Sequence, residues 1–142
     1  MNADLIVLAD MANIDAGGKL NIIGEFNTVR ARQIPSDPLR VVLVARIVAE
    51  SSEGVDHDIQ IVIVDQDGNE LSRLPKRKAR FSRTMPGTSG DLRAQIVLWV
   101  EGLRFPSYGT FRFDVLVDDR YIGGRSLFVV QQQSDEQTED KA

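Results

Sequence analysis

The sequence predicts an all-β protein, a two-sheet antiparallel sandwich of about eight strands with little or no helix. Apolar and polar residues alternate with a period of two along most of the chain, which is the pattern of half-buried strands. Turns that contain Gly or Asp separate these stretches, and such short connections favour antiparallel neighbours. No window of roughly 11 or more residues combines helical periodicity with good caps.

The first predicted element is a hairpin. The stretches "LIVLADMA" and "KLNIIGEF" alternate as paired strands do, and Asp15, Gly17 and Gly18 between them suit a tight turn. The alternation also places Asp10 on the apolar face of its strand, where a carboxylate must be hydrogen-bonded or carry a raised pKa. We expect an edge position or a capped loop at Asp10 rather than a catalytic role.

The later strands follow the same pattern. Residues 39–50 and 57–65 are rich in the β-branched residues that suit strands. Residues 94–100, "AQIVLWV", are apolar on both faces, which predicts a central strand. In residues 110–118 alternate apolar residues are predicted to point inward, and four polar residues are predicted to point to water. The inward set is Phe111, Phe113, Val115 and Val117, and the outward set is Thr110, Arg112, Asp114 and Asp118.

Three segments interrupt the strand pattern. Residues 30–39 contain two prolines and are predicted to cross between the sheets as a loop. Residues 84–91, "TMPGTSGD", are predicted to form a mobile loop. Residues 131–142 are polar and acidic, which predicts a disordered tail. The predicted organisation is therefore one sandwich domain at 1–130 and a tail at 131–142.

A tyrosine supports an immunoglobulin-like or related topology. Tyr108 stands just before a predicted strand in "LRFPSYGTFRFDV". Immunoglobulin-like sandwiches often use a tyrosine hydroxyl at this place to bond to the backbone of another segment. The alternative is a tyrosine at the rim with a half-packed ring.

Composition limits the function classes. The chain has 142 residues, a formal net charge of −4 and no cysteine, so disulfides and thiolate chemistry are excluded. Its first residues lack the features of a signal peptide, and no apolar run approaches the roughly 20 residues that span a bilayer. We expect a soluble cytoplasmic protein without a membrane partner.

One acidic stretch resembles a calcium loop. Asp65, Asp67 and Asn69 crowd around Gly68 in "VDQDGNEL", but the twelfth position, where an EF-hand needs Glu, holds Lys76. Asp-Gly between two strands is a strong hairpin signal instead. We therefore expect a turn and no metal site.

Catalysis is not expected. The one histidine, His57, lies at the start of a strand between Asp56 and Asp58, neither of which can easily orient its ring, so we expect a solvated side chain. Neither "AGGK" nor "IGGR" has the context of a phosphate loop, and no cofactor is predicted. A hydrolase that uses Asp10, Asp65 or His57 is the least favoured hypothesis.

Residues 73–83, "RLPKRKARFSR", concentrate positive charge. Such a stripe can neutralise phosphates, although the chain is acidic overall with a pI near 5.0. The alternative is an edge strand protected from self-pairing by Lys and Arg. Polyanion binding would weaken with salt and be lost when Arg77, Lys78 and Arg80 become Ala together. The candidate residues are Arg73, Lys76, Arg77, Lys78, Arg80 and Arg83.

Four stretches together resemble a bacterial domain of unknown function that is also met in phage-like contexts. The resemblance implies an all-β sandwich and assigns no catalytic residues. The stretches are "ADMANIDAGGKLNIIGEFNTV" (9–29), "VVLVARI" (41–47), "VDQDGNEL" (64–71) and "YGTFRFDVLVDDRYIGGRSLFV" (108–129).

The sequence thus favours a non-enzymatic protein-interaction module that engages a partner through sheet edges or through the loops at one end of the sandwich. Self-association through an edge is one form of this hypothesis. Binding of a polyanion or nucleic acid through residues 73–83 is the alternative.

Overall fold

The chain folds into two packed β-sheets, which confirms the predicted two-sheet sandwich. The structure is a computed structural model that describes residues 1–84 and 91–133. Within that part the only helical piece is one 3-10 turn at Ser51–Glu53. The strands are β1 (Asn2–Ile14), β2 (Leu20–Phe26), β3 (Thr28–Ala31), β4 (Leu39–Ala49), β5 (Asp56–Asp65), β6 (Glu70–Arg73), β7 (Arg77–Arg80), β8 (Ser82–Arg83), β9 (Leu92–Leu103), β10 (Gly109–Val117) and β11 (Arg120–Gln131).

The strand count exceeds the predicted number for a simple reason. Strands β3, β6, β7 and β8 span four residues or fewer. A period of two needs several repeats before it can be recognised, so short strands carry too little signal. The long strands β1, β2, β4, β5, β9 and β10 all overlap predicted strands.

The order of the strands confirms an immunoglobulin-like topology. Sheet A runs β2-β1-β4-β9-β8, and sheet B runs β3-β11-β10-β5-β6, with β7 also paired to β5. Strands β1, β4, β9 and β8 hold the places of A, B, E and D in an immunoglobulin domain, and β11, β10, β5 and β6 hold those of G, F, C and C′. Among the described strands, only β3 and β11 pair in parallel.

In β10 the alternation predicted the buried apolar residues correctly but the exposure of one polar residue wrongly. Its four predicted inward residues are buried: Phe111, Phe113, Val115 and Val117. The prediction that Asp114 points to water is wrong, because only 8% of this residue is exposed. Arg112 contacts the Asp114 carboxylate with two nitrogens, at 2.5 and 3.1 Å. Gly124 makes room for it, because a Cβ at Gly124 would stand 2.8 Å from Asp114 Oδ1.

The predicted crossing loop is confirmed. Residues 32–38 connect β3 in sheet B to β4 in sheet A. Buried Ser36 anchors the loop, since its amide donates to the Phe105 carbonyl at 3.0 Å and its Oγ accepts from the Phe105 amide at 2.8 Å. The Tyr108 hydroxyl donates to the Ala31 carbonyl at 3.1 Å, at the beginning of this crossing. Of the two alternatives for Tyr108, the hydrogen bond to the backbone of another segment is therefore present, and it joins the start of β10 to the end of β3.

The first hairpin is confirmed, but it bends. Strand β1 pairs with β4 only as far as Ala9, and beyond that point it pairs with β2 alone. Residues three positions apart lie on opposite faces of a regular strand, yet Ala9 and Ala12 belong to one apolar cluster. The face of β1 that packs against this cluster therefore changes between them. Asp10 lies at this shift opposite Gly24, where φ is +68° and a Cβ would stand 2.4 Å from Asp10 Oδ2.

This bend folds the distal part of the hairpin over the outer face of sheet A. Leu20 and Ile22 of β2 pack against a small cluster that contains Val42 and Val44, and the Gln95 side chain of β9 donates to the Gly18 carbonyl at 2.9 Å. Strand β4 therefore has apolar residues on both faces. Asp10 itself is exposed, so the predicted apolar surroundings of this carboxylate are wrong.

The prediction of a central position for β9 is wrong as well. Strand β9 is second from the border of sheet A, and its outer neighbour β8 has two residues. Its two apolar faces arise from the main core on one side and the folded hairpin on the other, as Ile96 and Val97 show. Residues 85–90 of the predicted mobile loop and residues 134–142 of the predicted tail lie outside the described residues.

Candidate protein-interaction edge

Sheet A has a long strand with an open side. Strand β9 pairs with β4 along its length, whereas β8 covers its other side only at Leu92 and Arg93. The residues just before β8 belong to sheet B instead, because β7 pairs with β5. In the described ranges 1–84 and 91–133, no strand lies against this side of β9 from Ala94 onward. We call residues 94–100 along this side the β9 edge.

The direction of the backbone groups follows from one hydrogen bond. The Thr84 amide donates to the Asp91 carbonyl at 3.0 Å, so the backbone of Asp91 faces β8. Because the direction of N–H and C=O groups alternates along an antiparallel strand, those of Gln95, Val97 and Trp99 face the same side. These three residues present their backbone donors and acceptors at the β9 edge.

The β9 edge has a defined end at each side. Towards the start of β9, the last pair with β8 is between Ser82 and Arg93. Towards the end, Glu101 and Gly102 together oppose the single residue Arg40, and Gly102 has φ of +70°. This is a β-bulge, which bends the strand. Seven regular residues, 94–100, lie between β8 and the bulge.

The side chains of the β9 edge are mainly apolar, with a charge at each end. Trp99 is 38% exposed, and the Arg40 guanidinium lies 4.8 Å from the centre of its ring. Val97 is half-buried, and Arg93 and Glu101 are exposed. The sequence pattern revealed the apolar character of this strand, but the open side was not predicted.

The borders formed by the other strands are protected. Strand β2 is bent at Gly24, and β3, β6 and β7 span only four residues each. Strand β7 also reads "RKAR". Short strands, bends and Lys or Arg side chains are the usual means by which proteins prevent pairing between edges. Among the described strands, β9 has the longest regular edge without these features.

Strand β7 contains much of the basic segment, in agreement with the interpretation of a protected edge strand. Carboxylates lie close to four of the six candidate cations in residues 73–83. The nitrogen–oxygen distances are 2.7 Å for Arg73–Glu70, 2.7 Å for Lys76–Asp119, 3.3 Å for Lys78–Asp58 and 4.0 Å for Arg80–Asp56.

The remaining two candidates lie apart from each other. Arg77 is in β7 of sheet B, whereas Arg83 is in β8 of sheet A. The fold thus divides the six cations between the two sheets and places carboxylates beside most of them. Polyanion binding by this segment stays a prediction from the sequence.

The prediction of a solvated His57 is wrong. Only 7% of His57 is exposed, and the Phe81 ring lies edge-on with its centre 4.9 Å away. His57 Nδ1 is 2.6 Å from Asp118 Oδ2, and Nε2 is 2.8 Å from the Gly54 carbonyl. Two acceptors around one imidazole favour the doubly protonated ring.

The electrostatic environment agrees with this geometry. Burial opposes the charge on His57, but the hydrogen bonds to Asp118 and to the Gly54 carbonyl outweigh it, so the pKa of His57 is raised. The Asp58 amide and the His57 ring both donate to Asp118 and lower the pKa of this carboxyl. Asp118 comes from the β10–β11 turn and has a positive φ of 51°. No pattern in the sequence predicted that this distant turn would reach His57.

The two acidic stretches, at Asp15 and at Asp65, are turns with the same hydrogen-bond pattern. Asp15 Oδ1 accepts the amides of Gly17 and Lys19, and Asp65 Oδ1 accepts those of Asp67 and Asn69, each at 2.9 Å. The interpretation of residues 64–71 as a hairpin turn is confirmed by the pairing of β5 with β6. Within the part of the chain that the structure describes, no group of three or more His, Asp or Glu side chains could hold a metal ion.

A family model matches residues 4–130, and its description is a family of unknown function, DUF6941. The chain belongs to this family. The DUF6941 match agrees with the sequence resemblance to an uncharacterised domain. No curated protein matches the chain.

Three solved structures show distant likeness to this DUF6941 chain. They are a DNA-bound alkylpurine DNA glycosylase from Pseudomonas fluorescens (10% identity, TM-score 0.41), an isofagomine-bound β-glucosidase from Listeria innocua (8%, 0.45) and an immunoglobulin-like protein from Pseudomonas aeruginosa (15%, 0.40). The matches cover 73%, 90% and 90% of the DUF6941 chain, and 28%, 16% and 94% of the three structures. The TM-scores are too low for any functional argument.

The DUF6941 chain thus spans only a small part of the two enzymes that it matches.

Among the described residues of this DUF6941 member, no helix has the length and apolar character needed to cross a membrane.

Proposed function

We propose that this protein is a non-enzymatic interaction module that binds a protein partner by accepting an extended strand at the β9 edge. The observation that carries the proposal is the row of backbone groups from Gln95, Val97 and Trp99 along an open, regular and apolar strand. Strand addition uses such groups for affinity and the adjacent side chains for specificity. A cytoplasmic location stays a prediction from the sequence.

The chemistry of the edge defines the partner strand. Half-buried Val97 and half-exposed Trp99 favour β-branched or aromatic residues beside them. A strand antiparallel to β9 meets Glu101 with its first residues and Arg93 with its last. The best partner is therefore an extended apolar segment with a basic residue before it and an acidic residue after it.

The polar side chains that could have served in catalysis support a non-enzymatic role, because they form hydrogen bonds within the fold. Both ring nitrogens of His57 contact acceptors, and Asp15 and Asp65 each accept two amides of their own turn. A general base needs a free lone pair, and both ring nitrogens of His57 are engaged by hydrogen-bond acceptors. The placement of carboxylates beside the basic segment gives no further support to polyanion binding.

Amide hydrogen exchange with a designed peptide tests the proposal. The seven central residues of the peptide RTVTVTVTE pair antiparallel with residues 94–100, and its terminal Arg and Glu then lie near the Glu101 and Arg93 side chains. We expect it to slow exchange at the outward amides of Gln95, Val97 and Trp99, because each gains a hydrogen-bond partner. The amides between them already face β4 and form an internal reference.

Trp99 gives a second readout, because it is the one tryptophan of the chain. We expect a saturable blue shift of its fluorescence as the peptide covers its ring. The control peptide RTVTPTVTE lacks the central amide and should bind far more weakly, because Pro interrupts the ladder. Equal effects of the two peptides, or unchanged exchange at the three outward amides, would contradict the proposal.

A further inference from the structure

We infer that the strand accepted at the β9 edge is β9 of a second copy of this chain, paired antiparallel about a two-fold axis at Val97. This inference rests on the proposed function and names its partner. In the pair, Val97 faces Val97 of the other copy, and Gln95 faces Trp99. The five strands of each sheet A would then form one continuous sheet across the two copies.

The backbone groups select this register. Gln95, Val97 and Trp99 present their N–H and C=O groups outward, and an axis at Val97 pairs all three with outward-facing residues of the other copy. Movement of the axis by one residue towards Arg93 would bring Trp99 opposite Arg93, whose outward groups already face β8. Movement the other way would bring Gln95 opposite the bulge at Glu101.

The ends of the β9 edge fit the same axis. Strand β8 occupies the outer side of β9 up to Arg93, and the bulge starts at Glu101. Val97 lies midway between these limits. The incoming strand therefore bends away at its own bulge where it would otherwise meet β8 of the first copy, and this happens at both ends by symmetry.

Charge complementarity supports self-pairing. With the axis at Val97 the ladder ends just before Arg93 of one copy and Glu101 of the other, so these oppositely charged side chains, both exposed in the single chain, come close together at each end of the ladder. Between these two ion pairs the ladder has apolar residues with Gln95 as the single polar position. Both copies use the same surface, so association closes at two copies instead of forming a fibre.

Cysteine cross-linking tests the register, because the natural chain has no cysteine. In Val97→Cys the two introduced thiols lie opposite each other at the axis, where paired Cα atoms are about 5.5 Å apart. In the control Glu101→Cys they lie at opposite ends of the ladder, about 26 Å apart at ~3.3 Å per residue. We expect oxidation or a short bis-maleimide to cross-link the first variant efficiently and the second poorly.

A charge exchange tests the ion pairs without change to the buried residues. Arg93→Glu places one like charge near Glu101 at each end of the ladder, and we expect the dimer dissociation constant from sedimentation to rise roughly tenfold. Adding Glu101→Arg to the same chain restores both ion pairs and should return the constant close to that of the natural protein. Circular dichroism confirms that each variant is folded.

The outcomes separate this inference from the proposed function. A natural protein that stays monomeric at all concentrations, or a dimer that cross-links through Glu101→Cys but not Val97→Cys, overturns the inference. If a monomeric protein still shows slowed exchange at the three outward amides with RTVTVTVTE, the proposed function stands and only the identity of the partner is wrong. If neither a second copy nor the peptide occupies the edge, both fail.

Discussion

Replacing Phe81 with Ala is expected to lower the free energy of unfolding by about 3–5 kcal/mol, the usual cost of deleting a fully buried phenyl group. Phe81 is 1% exposed and packs in the main core. It stands between β7 in sheet B and β8 in sheet A, and its amide donates to the Val55 carbonyl at 2.7 Å. The large effect follows because this ring fills the core where the chain passes between the sheets, against His57.

Urea unfolding followed by Trp99 fluorescence measures this loss, with the same protein concentration for every variant because dimerisation would add to the apparent stability. Phe128→Ala is the matched control, since the same substitution is made at a ring that is 40% exposed. We expect it to cost about 1 kcal/mol or less. Equal losses in the two variants would show that Phe81 does not have the packing role assigned to it.

Replacing Asp118 with Asn is expected to lower the free energy of unfolding at pH 5.5 by about 1.5–3 kcal/mol, the range for hydrogen bonds to charged groups. Asn keeps the size of the side chain and tolerates the positive φ of 51° at this position. The substitution removes the charge that faces the buried His57 ring at 2.6 Å. The cost arises because His57 stays buried while its ionic partner is lost.

The pH dependence of this pair has a definite sign. The pKa of His57 is raised above 6.5, so its stabilisation is complete below that pH and is lost as pH rises through the folded-state pKa. The pKa of Asp118 is lowered below 3.8, so its stabilisation is present above that pH and is lost as pH falls through the folded-state pKa. The pair therefore contributes most between about pH 4 and 6.5.

Urea unfolding at pH 5.5 and at pH 8.5 checks this expectation, together with an NMR titration of the single histidine. Asp119→Asn is the control, because Asp119 lies in the same turn with φ of 66° but contacts exposed Lys76. We expect the natural protein and the Asp119 variant to lose stability at the higher pH, and the Asp118 variant to change much less. Identical pH dependence in all three proteins would contradict the role of the pair.

Local sequence patterns were sufficient to predict most of the sandwich. The alternation in β10 correctly identified its four buried apolar residues, because exposure to opposite faces is a property of any extended strand. The turns at Asp15 and Asp65 were also predictable, since an Asp side chain bonds to amides two and four positions ahead without help from the rest of the fold.

The predictions that failed concern side chains whose contacts come from segments distant in the sequence. Asp114 is buried because Gly124 of the neighbouring strand leaves space for its carboxylate. His57 is buried because Asp118, 61 positions away, supplies its ionic partner. No periodicity in either segment contains this information, because each side chain alone would be more stable in water. The same limit explains why the bend that takes Asp10 out of apolar surroundings was not predicted.

The all-β class, most long strands, the first hairpin and the turn chemistry were predictable from the sequence, because they depend on side-chain alternation and on local hydrogen bonds. The open side of β9 became visible only in the three-dimensional fold. Its apolar residues look the same whether a strand is central or near the border of a sheet, since burial on two faces says nothing about pairing at the edges. The residues before Phe81 pair in sheet B as β7, and the chain reaches the side of β9 only in the two residues of β8, so the edge at which we place the partner stays open.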